Sequence, residues 1–273
     1  MPLQYAFRMR RATEMTRVRS TVAMLALLIG AAGLLACNDG DGRTPGRTQK
    51  GSGVEEVAKS EAPGAVIGTA EQAAPLARSG QELTYNFDSD SPGQMPLKFH
   101  SARTGAGKES RWLVLGDSTA PSKPNVVAQS STDQVDYRFP LLINDEASFR
   151  DLDVTVSFKA VSGNIDQAGG LVFRLKDPNN YYVVRANTLE NNYNLYHVVN
   201  GRRSEFAGAK LKVTSGEWHK LQVEVIGNKI TCYYDGNQKI EATDDTFKDA
   251  GKIGLWTKAD SVTYFDDLRV AAR

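Results

Sequence analysis

The chain is poor in what many functions require. Its 273 residues contain two cysteines, Cys37 and Cys232, and three histidines, His100, His197 and His219. No two of the histidines stand i, i+2 or i, i+4 apart, so there is no zinc signature. No Gly-x-Ser-x-Gly elbow supports a serine triad. Lysine and arginine number 33 against 32 acidic residues, a net charge of +1. No basic patch is interleaved with aromatics, which argues against a nucleic-acid partner. Helical periodicity is nearly absent. The apolar run Val22 to Ala36 is about 15 residues long, short of the roughly 20 that a membrane span needs.

What is present at the N-terminus is a processing signal. Arg8, Arg10, Arg11, Arg17 and Arg19 precede the apolar run, which ends Leu34-Leu35-Ala36-Cys37. Met15 is an alternative start, because Met15 to Ser20 already supplies a basic region. Small or apolar residues before a cysteine resemble the lipobox of bacterial lipoproteins. The resemblance implies a signal peptide over 1–36, lipidation at Cys37, and a chain anchored to a membrane of the cell envelope. An ordinary secretory signal with an incidental cysteine is the alternative. Residues 37–80 are rich in Gly, Ala, Glu, Lys, Thr and Pro and lack aromatics. Such a segment buries too little apolar surface to offset its ordering entropy, and reads as a flexible tether.

From residue 81 to 273 the pattern is all-β. Leu83 to Phe87, Trp112 to Leu115, Asn125 to Gln129, Tyr137 to Ile143, Val154 to Phe158 and Gly170 to Leu175 read as strands. So do Tyr181 to Asn187, Asn194 to Val199, Arg202 to Phe206, Leu221 to Val225, Ile230 to Tyr234, Ile253 to Trp256 and Val262 to Val270. Asn200-Gly201 and Asp235-Gly236 are type I′ hairpin signals. Asp244 to Ala250 is expected to form one helical turn. Cys232 alternates in phase with Ile230 and Tyr234, which makes it a small buried hydrophobe. Short strands at this spacing indicate a two-sheet sandwich or barrel.

Four stretches carry a resemblance: Gly169–Asn187, Asn194–Arg203, Gly216–Gly236 and Gly251–Val270. They resemble concanavalin A-like jelly rolls of the laminin-G type. More narrowly, they resemble the bacterial domain family labelled 3-keto-disaccharide hydrolase. The resemblance implies two facing antiparallel sheets, one concave, with carbohydrate as the usual ligand class.

Sandwich proteins of that shape hold sugar on the concave sheet, by aromatic stacking and by hydrogen bonds from polar side chains. Alternation selects who points there. If Leu171, Phe173 and Leu175 face the core, Arg174 faces the cleft. If Tyr182, Val184 and Ala186 face in, Arg185 and Asn187 face out. If Ile253 and Leu255 face in, Trp256 and Lys258 face out. Trp256 beside these polar groups is the main ligand-site expectation; covering an end of the sandwich is its structural alternative. Asn191, Asn192, Asn194 and Tyr196 add nearby polar and aromatic groups, although Asn-rich stretches also make turns.

Glycoside hydrolysis calls for a pair of carboxylates. The Glu-x-Asp-x-x-Glu arrangement of laminarinase-type sandwiches does not occur; Asp151-Leu152-Asp153 is its nearest echo, and Asp244-Asp245 and Glu190 are further options. Tyr264 to Val270 resembles the last strand of those sandwiches, where an aspartate binds structural calcium. The matching residue is Asp266, with Asp88 on the neighbouring first strand as a second oxygen donor. Three readings follow: a glycan-binding domain, an enzyme cleaving 3-keto-glycosides, or a structural envelope protein.

Overall fold

A computed structural model describes residues 74–273. The signal segment, Cys37 and most of the expected tether lie outside the described residues. Within them the chain forms fifteen strands and no helix. They are β1 (Glu82–Tyr85), β2 (Phe99–Gly105), β3 (Trp112–Gly116), β4 (Asn125–Gln129), β5 (Arg138–Asn144), β6 (Leu152–Ser162), β7 (Ala168–Asp177) and β8 (Asn180–Asn187). They continue with β9 (Asn192–Val199), β10 (Arg202–Lys210), β11 (Trp218–Ile226), β12 (Lys229–Tyr234), β13 (Asn237–Thr243), β14 (Lys252–Trp256) and β15 (Val262–Ala272).

The strands make two antiparallel sheets. The first has the order β13-β12-β11-β6-β15-β4-β3, with β1 also pairing β15; the second runs β10-β9-β8-β7-β14-β5-β2. Alternation along each strand sends one set of side chains between the sheets. That core holds Val154, Val156 and Phe158 from one sheet and Leu171, Phe173, Tyr182, Val184 and Leu255 from the other. Cys232 lies in it, fully buried, and burial pushes its thiol pKa well above the usual value. The expected sandwich is therefore the observed one. Both hairpin signals hold: Asn200-Gly201 and Asp235-Gly236 all have φ between 49° and 76°, as type I′ turns require.

Two strands were not legible. The strands β2 (FHSARTG) and β13 (NQKIEAT) each lie at an edge of their sheet, and their mostly polar sequences show no clean apolar alternation. The expected helical turn over 244–250 is absent; the segment is an irregular loop that buries Phe247. The chain joins the sandwich before residue 81: the Ala77 amide donates to Ser148 O at 2.8 Å.

The second sheet curls. At one end, the β7–β8 and β9–β10 hairpin tips meet β2 and the residue just before β5. Thr104 Oγ1 donates to Pro178 O at 2.5 Å and lies 2.8 Å from the Tyr181 hydroxyl. The Tyr137 hydroxyl donates to Gly201 O at 2.9 Å and accepts from the Arg203 amide at 2.9 Å. A second hydrophobic cluster fills the hollow: Phe139, Leu141, Val172, Tyr181, Val183, Tyr196, Val198 and Trp256. This is the concave face.

Candidate functional site on the concave sheet

One row of residues crosses the concave face. Leu141, Trp256, Gly170, Arg185, Asn194 and Gly208 stand opposite one another on β5, β14, β7, β8, β9 and β10. The two glycines shape it. A Cβ at Gly170 would approach Val184 O to 2.6 Å and Arg185 Cβ to 3.1 Å; one at Gly208 would approach Asn194 Oδ1 to 2.4 Å. Only glycine leaves Arg185 and Asn194 where they are.

Arg185 is the hub. Its side chain is buried, and it donates to Asn192 Oδ1 at 3.0 Å, Glu190 Oε2 at 2.8 Å and the Tyr196 hydroxyl at 3.0 Å. Burial works against its charge, but Tyr196 and Glu190 more than offset this and raise its pKa. Its Nε is buried without a hydrogen-bond partner. Asn194 continues the network to the Tyr196 hydroxyl at 3.2 Å and to Glu205 Oε2 at 2.8 Å. Beside it, Asn187 donates to Asp166 Oδ1 at 2.8 Å. Lys258 Nζ lies 2.9 Å from Asp166 Oδ2 and 2.7 Å from Asp136 Oδ1. Burial opposes the Lys258 charge, and the two carboxylates outweigh it, raising its pKa.

Four of the five expected ligand residues, Arg185, Asn187, Trp256 and Lys258, thus share this face. Trp256 does so without being open. It is fully buried, stacked on Phe139 at 5.3 Å between ring centres, and covered by Arg203. It is the floor of the hollow and presents no free ring face to a sugar. Arg174 is elsewhere. A β-bulge between Phe173 and Asp177 places Arg174 at φ 46° and breaks the alternation, so that Leu175 joins the concave cluster instead. The Arg174 guanidinium turns to the end of the sandwich and donates to the backbone oxygens of Arg150, Phe247 and Gly227. Of the remaining candidates, Asn192, Asn194 and Tyr196 belong to the site. Asn191 is a turn residue with φ 51°, and its Oδ1 accepts from the Val213 amide.

Three groups in or beside the site were not anticipated: Arg203, Glu205 and Asp166. Arg203 and Glu205 are two apart on β10, opposite Val198 and Tyr196, so they share the concave face. The guanidinium of Arg203 stacks in a cage of Tyr196 (4.6 Å), Phe139 (4.7 Å) and Trp256 (5.5 Å). Its Nη1 is buried and unpartnered, and burial lowers its pKa. Desolvating such a charge costs several kcal/mol. Cation–π contacts return about 0.5–2 kcal/mol each, so the cage offsets that cost only in part. The sequence signal for Arg203 is the parity of the strand Arg202 to Phe206 that follows the Asn200-Gly201 turn.

At the outer edge lies a cavity of about 390 Å³ lined by Glu190, Asn192, Asn194, Glu205, Gly208, Ala209 and Lys210. Two carboxylates therefore face one opening. The other carboxylate options are remote from it: Asp151 holds Arg174, Asp153 accepts from Gln222, and Asp244 accepts from Tyr182. His219 is held between Asp235 and Thr214 at 2.8 and 2.7 Å, against Tyr234.

The calcium pair lies on the other sheet. Asp266 is buried; that burial, with the charges of Asp267 and Asp88, pushes its pKa up to about 7. Its oxygens accept from the Ser122 and Asp267 amides at 2.9 and 2.7 Å. Asp88 accepts from the Asn125 amide at 3.0 Å. Among the described residues no three histidine, cysteine or carboxylate groups converge on a metal position.

The fold is shared with known proteins. The chain is similar to the carbohydrate-binding module CBM66 from Bacillus subtilis, at 21% identity over 63% of this chain and 94% of that one, with a TM-score of 0.52. It is also similar to a Bacillus licheniformis beta-glucanase, at 14% identity over 72% of this chain and 100% of that one, with a TM-score of 0.48. No curated protein matches it. The model of the 3-keto-alpha-glucoside-1,2-lyase-like domain matches residues 103–271. That span runs from β2 to the end of β15 and takes in every residue of the concave network, so the chain belongs to the 3-keto-alpha-glucoside-1,2-lyase-like domain family.

Proposed function

We propose that this protein engages carbohydrate on the concave face of its second sheet, with Arg185, Asn187, Asn192, Asn194, Lys258 and Glu205 supplying polar contacts. One observation carries the reading: a buried arginine hub whose Nε has no partner, beside an open cavity lined by amides and carboxylates. Sugar hydroxyls supply the acceptors and donors such a hub lacks. The fold of a carbohydrate-binding module and the family both agree with it. Calorimetric titration of a glycan panel that includes 3-keto-disaccharides is the test. Arg185→Lys is expected to weaken binding about 10–100-fold, the loss of one or two charge-assisted hydrogen bonds, with the melting temperature measured alongside because the same guanidinium holds Asn192, Glu190 and Tyr196. A panel without any bound glycan would sink the reading.

A second reading is enzymatic. A ketone at C3 acidifies the C2 proton of a sugar. One base can then remove that proton as the C1–oxygen bond breaks and the leaving group departs. Glu190 and Glu205 line the same cavity, and Glu205 is the freer, since Glu190 pairs with Arg185 at 2.8 Å. Turnover of 3-keto-disaccharides that vanishes in Glu205→Gln while binding persists is the expected result; binding with no turnover leaves a binding module.

In this proposal the chain is held in the cell envelope by lipid on Cys37. Cys37→Ser should move the protein from the membrane to the soluble fraction on cell fractionation. An unchanged distribution would rule out the anchor.

A further inference from the structure

The charges of the concave site do not close on themselves. Arg185 is neutralised by Glu190, and Lys258 by Asp136 and Asp166. Arg203 is not in an ion pair among the described residues, and its Nη1 is buried with no hydrogen-bond partner there. Glu205, two residues along the same strand, directs its carboxylate to Asn194 instead. Lys210, on the wall of the adjoining cavity, is likewise outside any ion pair among the described residues. The Arg203 fork is oriented by three aromatic rings, and the backbone at Arg203 is held by its amide, which donates to the Tyr137 hydroxyl. A planar, pre-oriented guanidinium with free N–H groups matches a carboxylate bidentately. A neutral hydroxyl would satisfy one N–H and leave the charge unpaired.

We propose that the ligand is an acidic saccharide, one whose sugar ring carries a carboxylate, and that Arg203 is the residue that reads that carboxylate. The inference rests on the carbohydrate reading above and narrows it to a ligand class. Arg185, Asn192 and Asn194 then hold the ring hydroxyls at the cavity mouth, and Lys210 adds a second positive group at its wall.

The experiment compares a glucuronate-terminated disaccharide with the glucose-terminated disaccharide of the same linkage, titrated into the full-length protein. The acidic sugar is expected to bind at least about tenfold more tightly, the lower range for a charge-assisted bidentate contact. Arg203→Gln should remove that preference and leave the neutral sugar's affinity within about threefold, with melting temperature as the check on folding. Arg203→Lys, which keeps the charge but loses the fork, should retain part of the preference; this arm holds if the Gln variant folds poorly. Equal affinity for the two sugars overturns the acidic-ligand inference and leaves the carbohydrate reading intact. A preference that survives both substitutions overturns the role of Arg203. Binding of neither sugar, with glycans of the wider panel also silent, fails the carbohydrate reading itself.

Discussion

Two arginines on neighbouring strands show how one backbone torsion decides between site and scaffold. Alternation placed both Arg174 and Arg185 on the concave face. It succeeded for Arg185, Asn187, Trp256 and Lys258 because their strands keep register there. It failed for Arg174, whose positive φ within a bulge redirects the side chain. No motif marks that bulge in Gly169–Asn187, since the strained position is not a glycine. The consequence is energetic. Arg174 donates at 2.8, 2.9 and 2.7 Å to three backbone oxygens and pairs with Asp151 at 3.3 Å. Removing it orphans buried acceptors. Arg174→Met should therefore lose about 2–4 kcal/mol of stability with sugar affinity unchanged, measured by urea unfolding and calorimetry on the same protein. A loss under about 1 kcal/mol would mean that water reaches those carbonyls.

Among the elements, the loops at the cleft end do as much positioning as the strands. Asp166, the partner of Asn187 and Lys258, sits in the turn between β6 and β7. That turn is fastened by Asp260, between β14 and β15, whose carboxylate accepts from the Asn164, Ile165 and Asp166 amides at 2.8, 3.0 and 3.0 Å. Burial raises the Asp260 pKa, but the three amides override it and hold the carboxyl below its ordinary 3.8. Between the folded and unfolded values the unfolded chain binds the extra proton, so stability rises with pH in that window. The contribution is complete above about pH 4 and is lost as acid titrates the folded carboxylate. Asp260→Asn should cost about 1–3 kcal/mol at pH 7 and flatten the acid limb of a stability–pH curve; an unaltered limb would show that another group controls it. Pairings such as this, across 94–96 positions, leave no local trace in the sequence. The edge strands β2 and β13 were missed for the opposite reason: their own residues are too polar to announce a buried face.

For the molecule as a whole, the sandwich was legible because alternation and Asn-Gly and Asp-Gly turns are local signals that survive without knowledge of neighbours. The curl of the second sheet was not. It depends on Thr104 meeting Pro178 and Tyr137 meeting Gly201, contacts 74 and 64 positions apart. The curl turned Trp256 from an exposed platform into a floor and recruited Arg203, a residue read only as part of a hairpin.

The curl also changes the medium in which that arginine acts. An open sheet face would leave its charge in bulk water, where ions at physiological strength screen an attraction beyond about 8 Å. Stacked among aromatic rings and partly buried, the guanidinium works at a local dielectric below that of water, where a contact of given length is worth more. A ligand charge that reaches it is held strongly at close range, and one still outside the mouth is barely felt.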